Sequence, residues 1–271
     1  DSLSTDVLIF FFFYCSFSLA SGEPTSGNEH QRLLRRAVSP SRANRYRPLP
    51  ETGPEADDIK ALFPGATVLR QKDATEAALL RLRAAPGVLH IATHGEYLTD
   101  GDDQEADSRG PRLPFAEGQP IPANPLLRSR LIFAGAGNPP AGGKLGGDDG
   151  LTSALEIGGL SLQGTQLVVL SACETARGYV VPGQDVAGLR RAFLVSGAQT
   201  VVASLWAVND GATRALMRGF YQHLRRGQGR AQAMQQAALS LRQEYPHPHY
   251  WAGFIVIGNG SPLHDMATSN P

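Results

Sequence analysis

Two side chains in this sequence have the types and settings for covalent chemistry. One is Cys173, in the string QLVVLSACETARG from Gln166 to Gly178; the other is His94, in the string VLHIATHG from Val88 to Gly95. A thiol is a nucleophile once it is deprotonated, and an isolated cysteine titrates near ~8.5. A histidine delivered beside it by a separate strand raises the thiolate fraction at neutral pH and can move protons as acid and base.

The elements that must deliver these groups can be read from the flanking residues. Leu167, Val168, Val169 and Leu170 are apolar on both alternations, which predicts a central parallel strand covered by helices on both faces. In open α/β sheets, ligands and chemistry gather at the carboxyl edge. Cys173 stands just past that edge, and Val88 to Gly95 has the same plan, with His94 and Gly95 at the strand end.

With these strings on the page the chain resembles the CHAT domain, the bacterial branch of the caspase- and separase-like cysteine peptidases. The matching strings are HIATHG, NPLLRSRLIFAGA, LVVLSACETARG, GLRRAFLVSGAQTVVASLWAVND, MRGFYQHL and HPHYWAGFIVIG, covering roughly Pro48 to Gly258 in the family's order. The resemblance implies a caspase-like α/β three-layer sandwich, a mostly parallel central sheet flanked by helices. It implies a cysteine endopeptidase with Cys173 as nucleophile and His94 as general acid and base. The backbone amides of Gly95 and Cys173 would form the oxyanion hole, each donor worth ~3 kcal/mol to the tetrahedral intermediate. The substrate would be a polypeptide, and no metal or organic cofactor is required.

Related peptidases read one substrate side chain beside the scissile bond, and a buried acid there selects arginine or lysine. Asp210, in LWAVND, is the first candidate and Asp185 the second; for both, the competing role is a helix N-cap. Two rival functions are a catalytically silent CHAT-like scaffold and an acyl hydrolase or transferase on the same dyad. The chain departs from the family upstream: members usually carry further sheet and an aromatic-rich segment before the equivalent of Pro48, where this sequence has only the run at Val7 and a linker, so an edge strand is expected to be missing. Family members often receive their regulation from an attached sensor or repeat domain.

Other motifs fail on their spacing. His90 and His94 are four residues apart, which on a strand separates them by ~13 Å and excludes a shared metal. His90, His247 and His249 are read as structural. Gly143-Lys144 is no phosphate loop, since Asn138 stands where the first glycine belongs and Leu145 where Ser or Thr belongs. No GxSxG elbow occurs.

Composition sets the outer bounds. The 271 residues are 42% hydrophobic and 18% charged with formal net charge zero, an ordinary globular balance that points to neither nucleic acid nor anionic membrane. Cys15 and Cys173 are the two cysteines; they exclude a disulfide framework and fit a reducing, cytoplasmic setting.

Along the chain, Asp1 is not a methionine, so the sequence reads as a fragment or processed product. Val7 to Leu19 is an apolar run too short for a membrane helix of ~20 residues. Its readings are a degraded signal sequence, the tail of a truncated membrane helix, or a translation-boundary artefact; as part of a true signal or membrane helix it would mean export or tethering. Gly22 to Tyr46 reads as a linker, residues 1–47 as an apolar run and disordered linker, and Asp1 to Tyr46 is expected to contribute nothing to the core. The CHAT domain is expected over 48–260, with 261–271 as tail and disorder after Gly258.

Within the domain, helices are expected over Glu55–Leu62, from Asp73 to about Ala84 behind a capping box of Asp73 and Glu76, and from a Thr152 cap through Ile157. Further helices are expected behind Asp185, from Asn209 or Asp210 to about Arg226, and over Gly229–Glu244. Strands are expected over Ala66–Leu69, Ser129–Phe133, Thr200–Leu205 and Trp251–Ile257. Tyr97 to Pro125 carries five acidic residues between Asp100 and Asp107 and reads as a long solvated loop leaving the rim of the site.

Overall fold

A computed structural model describes residues 6–11, 49–97, 124–136, 149–171 and 187–264. Its centre is a six-stranded sheet in the order β2-β1-β3-β7-β8-β9. These strands are β1 (Val7–Phe11), β2 (Thr67–Arg70), β3 (Val88–Ala92), β7 (Leu167–Leu170), β8 (Thr200–Ser204) and β9 (Phe254–Gly258). All neighbours pair in parallel except β8 and β9, which are antiparallel. A second, three-stranded antiparallel sheet joins β4 (Gly95–Tyr97), β5 (Ser129–Ile132) and β6 (Leu151–Ser153).

The sheet is apolar on both faces because helices cover both. Val7, Ile9, Val88, Ala92, Leu167, Val169 and Val202 belong to one core, with residues of α1 (Thr52–Leu62), α5 (Asp210–Arg225) and α6 (Arg230–Glu244). The intervening Phe10, Leu89, Ile91, Val168, Leu170, Val201 and Ala203 belong to the other. They share it with residues of α3 (Ala154–Gly158) and α4 (Ala187–Val195), and with Leu79 of α2 (Glu76–Leu80). A short α7 (Pro248–Trp251) precedes β9. The result is the caspase-like three-layer sandwich.

The N-terminal run departs from the expectation. Val7–Phe11 is an interior strand, in register with β2 through Ile9 opposite Val68 and with β3 through Ile9 opposite His90. Val7, Ile9 and Phe10 are buried, and the Phe10 ring meets Phe133 edge-on with centroids 5.9 Å apart. A stretch apolar on both alternations suits a strand covered on both faces as well as it suits a membrane. It supplies sheet before Pro48, and the expectation that Asp1 to Tyr46 contributes nothing to the core is corrected: Val7, Ile9 and Phe10 belong to it. Cys15 and 12–48 lie outside the described residues, as do most of the acidic loop and residues 137–148.

The C-terminal boundary also shifts. After Gly258 the chain stays packed as far as His264, with Leu263 buried and the His264 amide donating to Gln166 Oε1 at 2.7 Å. Two helix starts differ from the expected caps. Thr75, in extended backbone, caps α2 by accepting from the Ala78 amide, while Glu76 accepts from the Gly150 amide at 3.0 Å instead of closing a box with Asp73. α2 ends at Leu80, ahead of Pro86. Ser153 and Glu156 form the capping box of α3, and Thr152 belongs to β6. Trp251 lies in α7, so the last strand starts at Phe254.

Candidate active site

The site is set by β3 and β7, hydrogen-bonded neighbours running in parallel. Their register puts Ile91 opposite Leu170, and the Ser171 amide donates to the Ile91 carbonyl at 3.1 Å, one step further. Counting along the sequence, His94 is three residues beyond Ile91 and Cys173 three beyond Leu170. β3 and β7 therefore end side by side at one edge, at a strand spacing of ~4.8 Å. Cys173 and Asp185 themselves lie outside the described residues.

His94 is 3% exposed. The residues around it are tied to β5. Thr93 Oγ1 donates to the Ile132 carbonyl, and the Ile132 amide donates to the His94 carbonyl at 3.0 Å. That last bond makes the next pair, Gly95 opposite Leu131, a non-hydrogen-bonded one. The antiparallel alternation then turns the Gly95 N–H away from β5. Among the described residues β4 is the edge strand of its sheet, with β5 its neighbour. One step on, Glu96 and Arg130 face each other across the ladder as a buried ion pair, Oε2 to Nε 3.0 Å.

Asp210 is not a cap. Asn209 takes that role, its Oδ1 accepting from the Ala212 amide at 3.0 Å, and Asp210 is the first residue of α5. Its Oδ2 accepts from the Glu51 amide at 2.9 Å, which docks α5 against the start of α1. Arg214, one turn on, reaches Glu51 at 3.1 Å and Asp58 at 2.8 Å.

The three histidines read as structural, His90, His247 and His249, have partners. His247 Nδ1 caps α7 by accepting from the His249 amide, and the His249 ring stacks on Trp206. Among the described residues no group of three His, Cys, Asp or Glu side chains could hold a metal ion. His90 is fully buried, with Tyr221 Oη 3.0 Å from Nδ1; Glu55 Oε1 and Ser171 Oγ lie 3.0 and 3.2 Å from Nε2. Reading the sequence alone missed these three partners. The one available signal was Glu55, a carboxylate on the same helical face as Thr52, Ala56 and Ile59, all four buried in α1.

Fold and edge together define a caspase-like α/β domain with its candidate chemistry at the carboxyl ends of β3 and β7. The sequence matches the CHAT domain over residues 14–259, and the chain belongs to that family. It is similar to tetratricopeptide repeat protein 28 of Mus musculus, 28% identical over 229 residues covering 82% of this chain. It is also similar to tetratricopeptide repeat protein 28 of Homo sapiens, 34% identical over 120 residues covering 44% of this chain. The matches span 9% and 5% of those proteins' own lengths. β1 begins before the family match.

Proposed function

We propose that the protein is a cysteine endopeptidase working through Cys173 and His94. The observation that carries this reading is the in-register pairing of β3 and β7, which leads to both residues at equal offset. The Cys173 thiolate attacks the scissile carbonyl, and the developing oxyanion takes hydrogen bonds from the Gly95 and Cys173 amides. As the intermediate collapses, His94 protonates the departing amine and the carbonyl carbon stays bonded to sulfur as a thioester. His94 then takes a proton from water, the hydroxide adds to the thioester, and collapse releases the carboxylic acid and the thiolate.

Cleavage after a basic residue belongs to the same reading. Asp210 heads a helix that follows β8, the strand next to β7, and supplies an acid at a neighbouring carboxyl edge; Asp185 is the alternative. A reducing compartment keeps the thiol available, and the names of the mouse and human relatives support tetratricopeptide repeats elsewhere in a longer protein as the regulator.

One experiment tests dyad and specificity together. Peptide electrophiles differing in the residue next to the warhead are applied to wild type, Cys173→Ala and Asp210→Asn. The arginyl and lysyl probes should label the wild type at Cys173 and leave Cys173→Ala unlabelled, and Asp210→Asn should lose the basic preference about tenfold or more. Labelling that survives in Cys173→Ala contradicts the nucleophile, and preference for acidic or apolar probes in the wild type contradicts the specificity.

A further inference from the structure

The reaction above makes no use of the polar cluster around His90, yet that cluster touches both strands that lead to the dyad. His90, Tyr221, Glu55 and Ser171 are each at most 1% exposed. The carboxylate and the hydroxyl both stand before Nε2; a proton on that nitrogen suits the carboxylate, and the hydroxyl can accept or donate. Burial, and then the charge of Glu55, hold the Tyr221 phenol well above its ordinary value and so protonated. It can therefore donate to Nδ1. Glutamate, histidine and serine match a hydrolytic triad in composition but not in geometry: two of them compete for one ring nitrogen, and all are closed to substrate.

Such a cluster is an expensive way to fill a core. Buried polar groups lose hydration, and apolar side chains of equal volume fill the same space without that loss. What the cluster provides is direction. His90 sits on β3 opposite Val169, and its ring reaches diagonally to Ser171, the first residue beyond β7. Glu55 Oε1 approaches the ring from α1 at an ion-pair distance of 3.0 Å, and Tyr221 bonds it from α5. One turn before Glu55, the Glu51 amide holds Asp210, so α1 ties this cluster to the acid proposed for specificity.

We propose that Glu55, His90, Tyr221 and Ser171 are positioning residues, a buried brace that fixes the carboxyl ends of β3 and β7 against each other. Through those ends the brace sets the spacing of His94 and Cys173. The brace itself stands on the contacts; its consequence for reactivity rests on the cysteine-peptidase reading.

The test uses the full chain carrying Ser171→Ala, Glu55→Gln, or Ser171→Thr, which keeps the hydroxyl. Two quantities are read: amide hydrogen exchange over residues 167–178, and labelling of Cys173 by the arginyl electrophile, with the maximal rate separated from half-saturation. Ser171→Ala and Glu55→Gln should raise exchange beyond Leu170 and lower the maximal labelling rate, each about tenfold, with half-saturation little changed. Ser171→Thr should restore both. If Ser171→Ala does not fold, Glu55→Gln, which keeps the side-chain volume, decides. Wild-type exchange or wild-type labelling in a folded variant overturns the brace. If the wild type itself is not labelled, the peptidase reading fails and exchange alone decides the brace.

Discussion

At the scale of single residues, the cluster around His90 shows how a group inert in the proposed reaction still leaves a thermodynamic signature. Tyr221 titrates well above 10.0, because burial first and the Glu55 charge second penalise the phenolate. Above pH 10 the folded state therefore binds more protons than the unfolded chain. The contribution of Tyr221 to stability is full below pH 10 and is lost as pH rises through the folded-state value, by about 1.4 kcal/mol per pH unit for one proton. Tyr221→Phe has no proton to lose, so urea unfolding from about pH 9 to 11 should show it less stable at the start and shallower in its alkaline decline. Curves that run parallel would contradict the burial of a protonated phenol.

At the scale of elements, β1 decides how much of the chain the fold uses. Ile9 is fully buried between His90 on β3 and Val68 on β2, so Ile9→Ala should cost about 2–5 kcal/mol in chemical denaturation. A change within error of zero would mean that β1 is dispensable. The same strand shows what the sequence makes legible and what it hides. Val88–Ala92, Leu167–Leu170 and Thr200–Ser204 are recognisable because short runs with apolar residues on both alternations, interrupted only by His90 and bounded by small or polar residues, fit a strand covered on both faces. Val7–Phe11 has that pattern too, but a longer apolar run around it invites comparison with membrane segments. The caps fall at Thr75 and Ser153, two residues after Asp73 and one after Thr152, since a capping side chain is selected by local backbone geometry that the residue types leave open. In the small sheet, β5 answers to the strand expected over Ser129–Phe133, whereas β4 and β6, of three residues each, are too short to carry a period.

At the scale of the whole molecule, the site depends on strand order. Sequence patterns identify the strand ends bearing His94 and Cys173, but adjacency of β3 and β7 is a property of the six-strand order, with β1 on the far side of β3. The Gly95 amide becomes a candidate oxyanion donor for a similar reason: the register with β5 turns it away from the ladder. Of the three partners of His90, Glu55 and Tyr221 come from two helices that cover one face of the sheet and Ser171 follows β7, and no local pattern connects them. The central claim is that His94 and Cys173 act as a pair, and the most direct measurement is the pH dependence of Cys173 alkylation by the arginyl electrophile, in wild type and in His94→Ala. The account predicts that the wild-type rate rises at least one pH unit below the ~8.5 of a free thiol, and that His94→Ala moves the midpoint back towards that value. Identical profiles for the two proteins would contradict it.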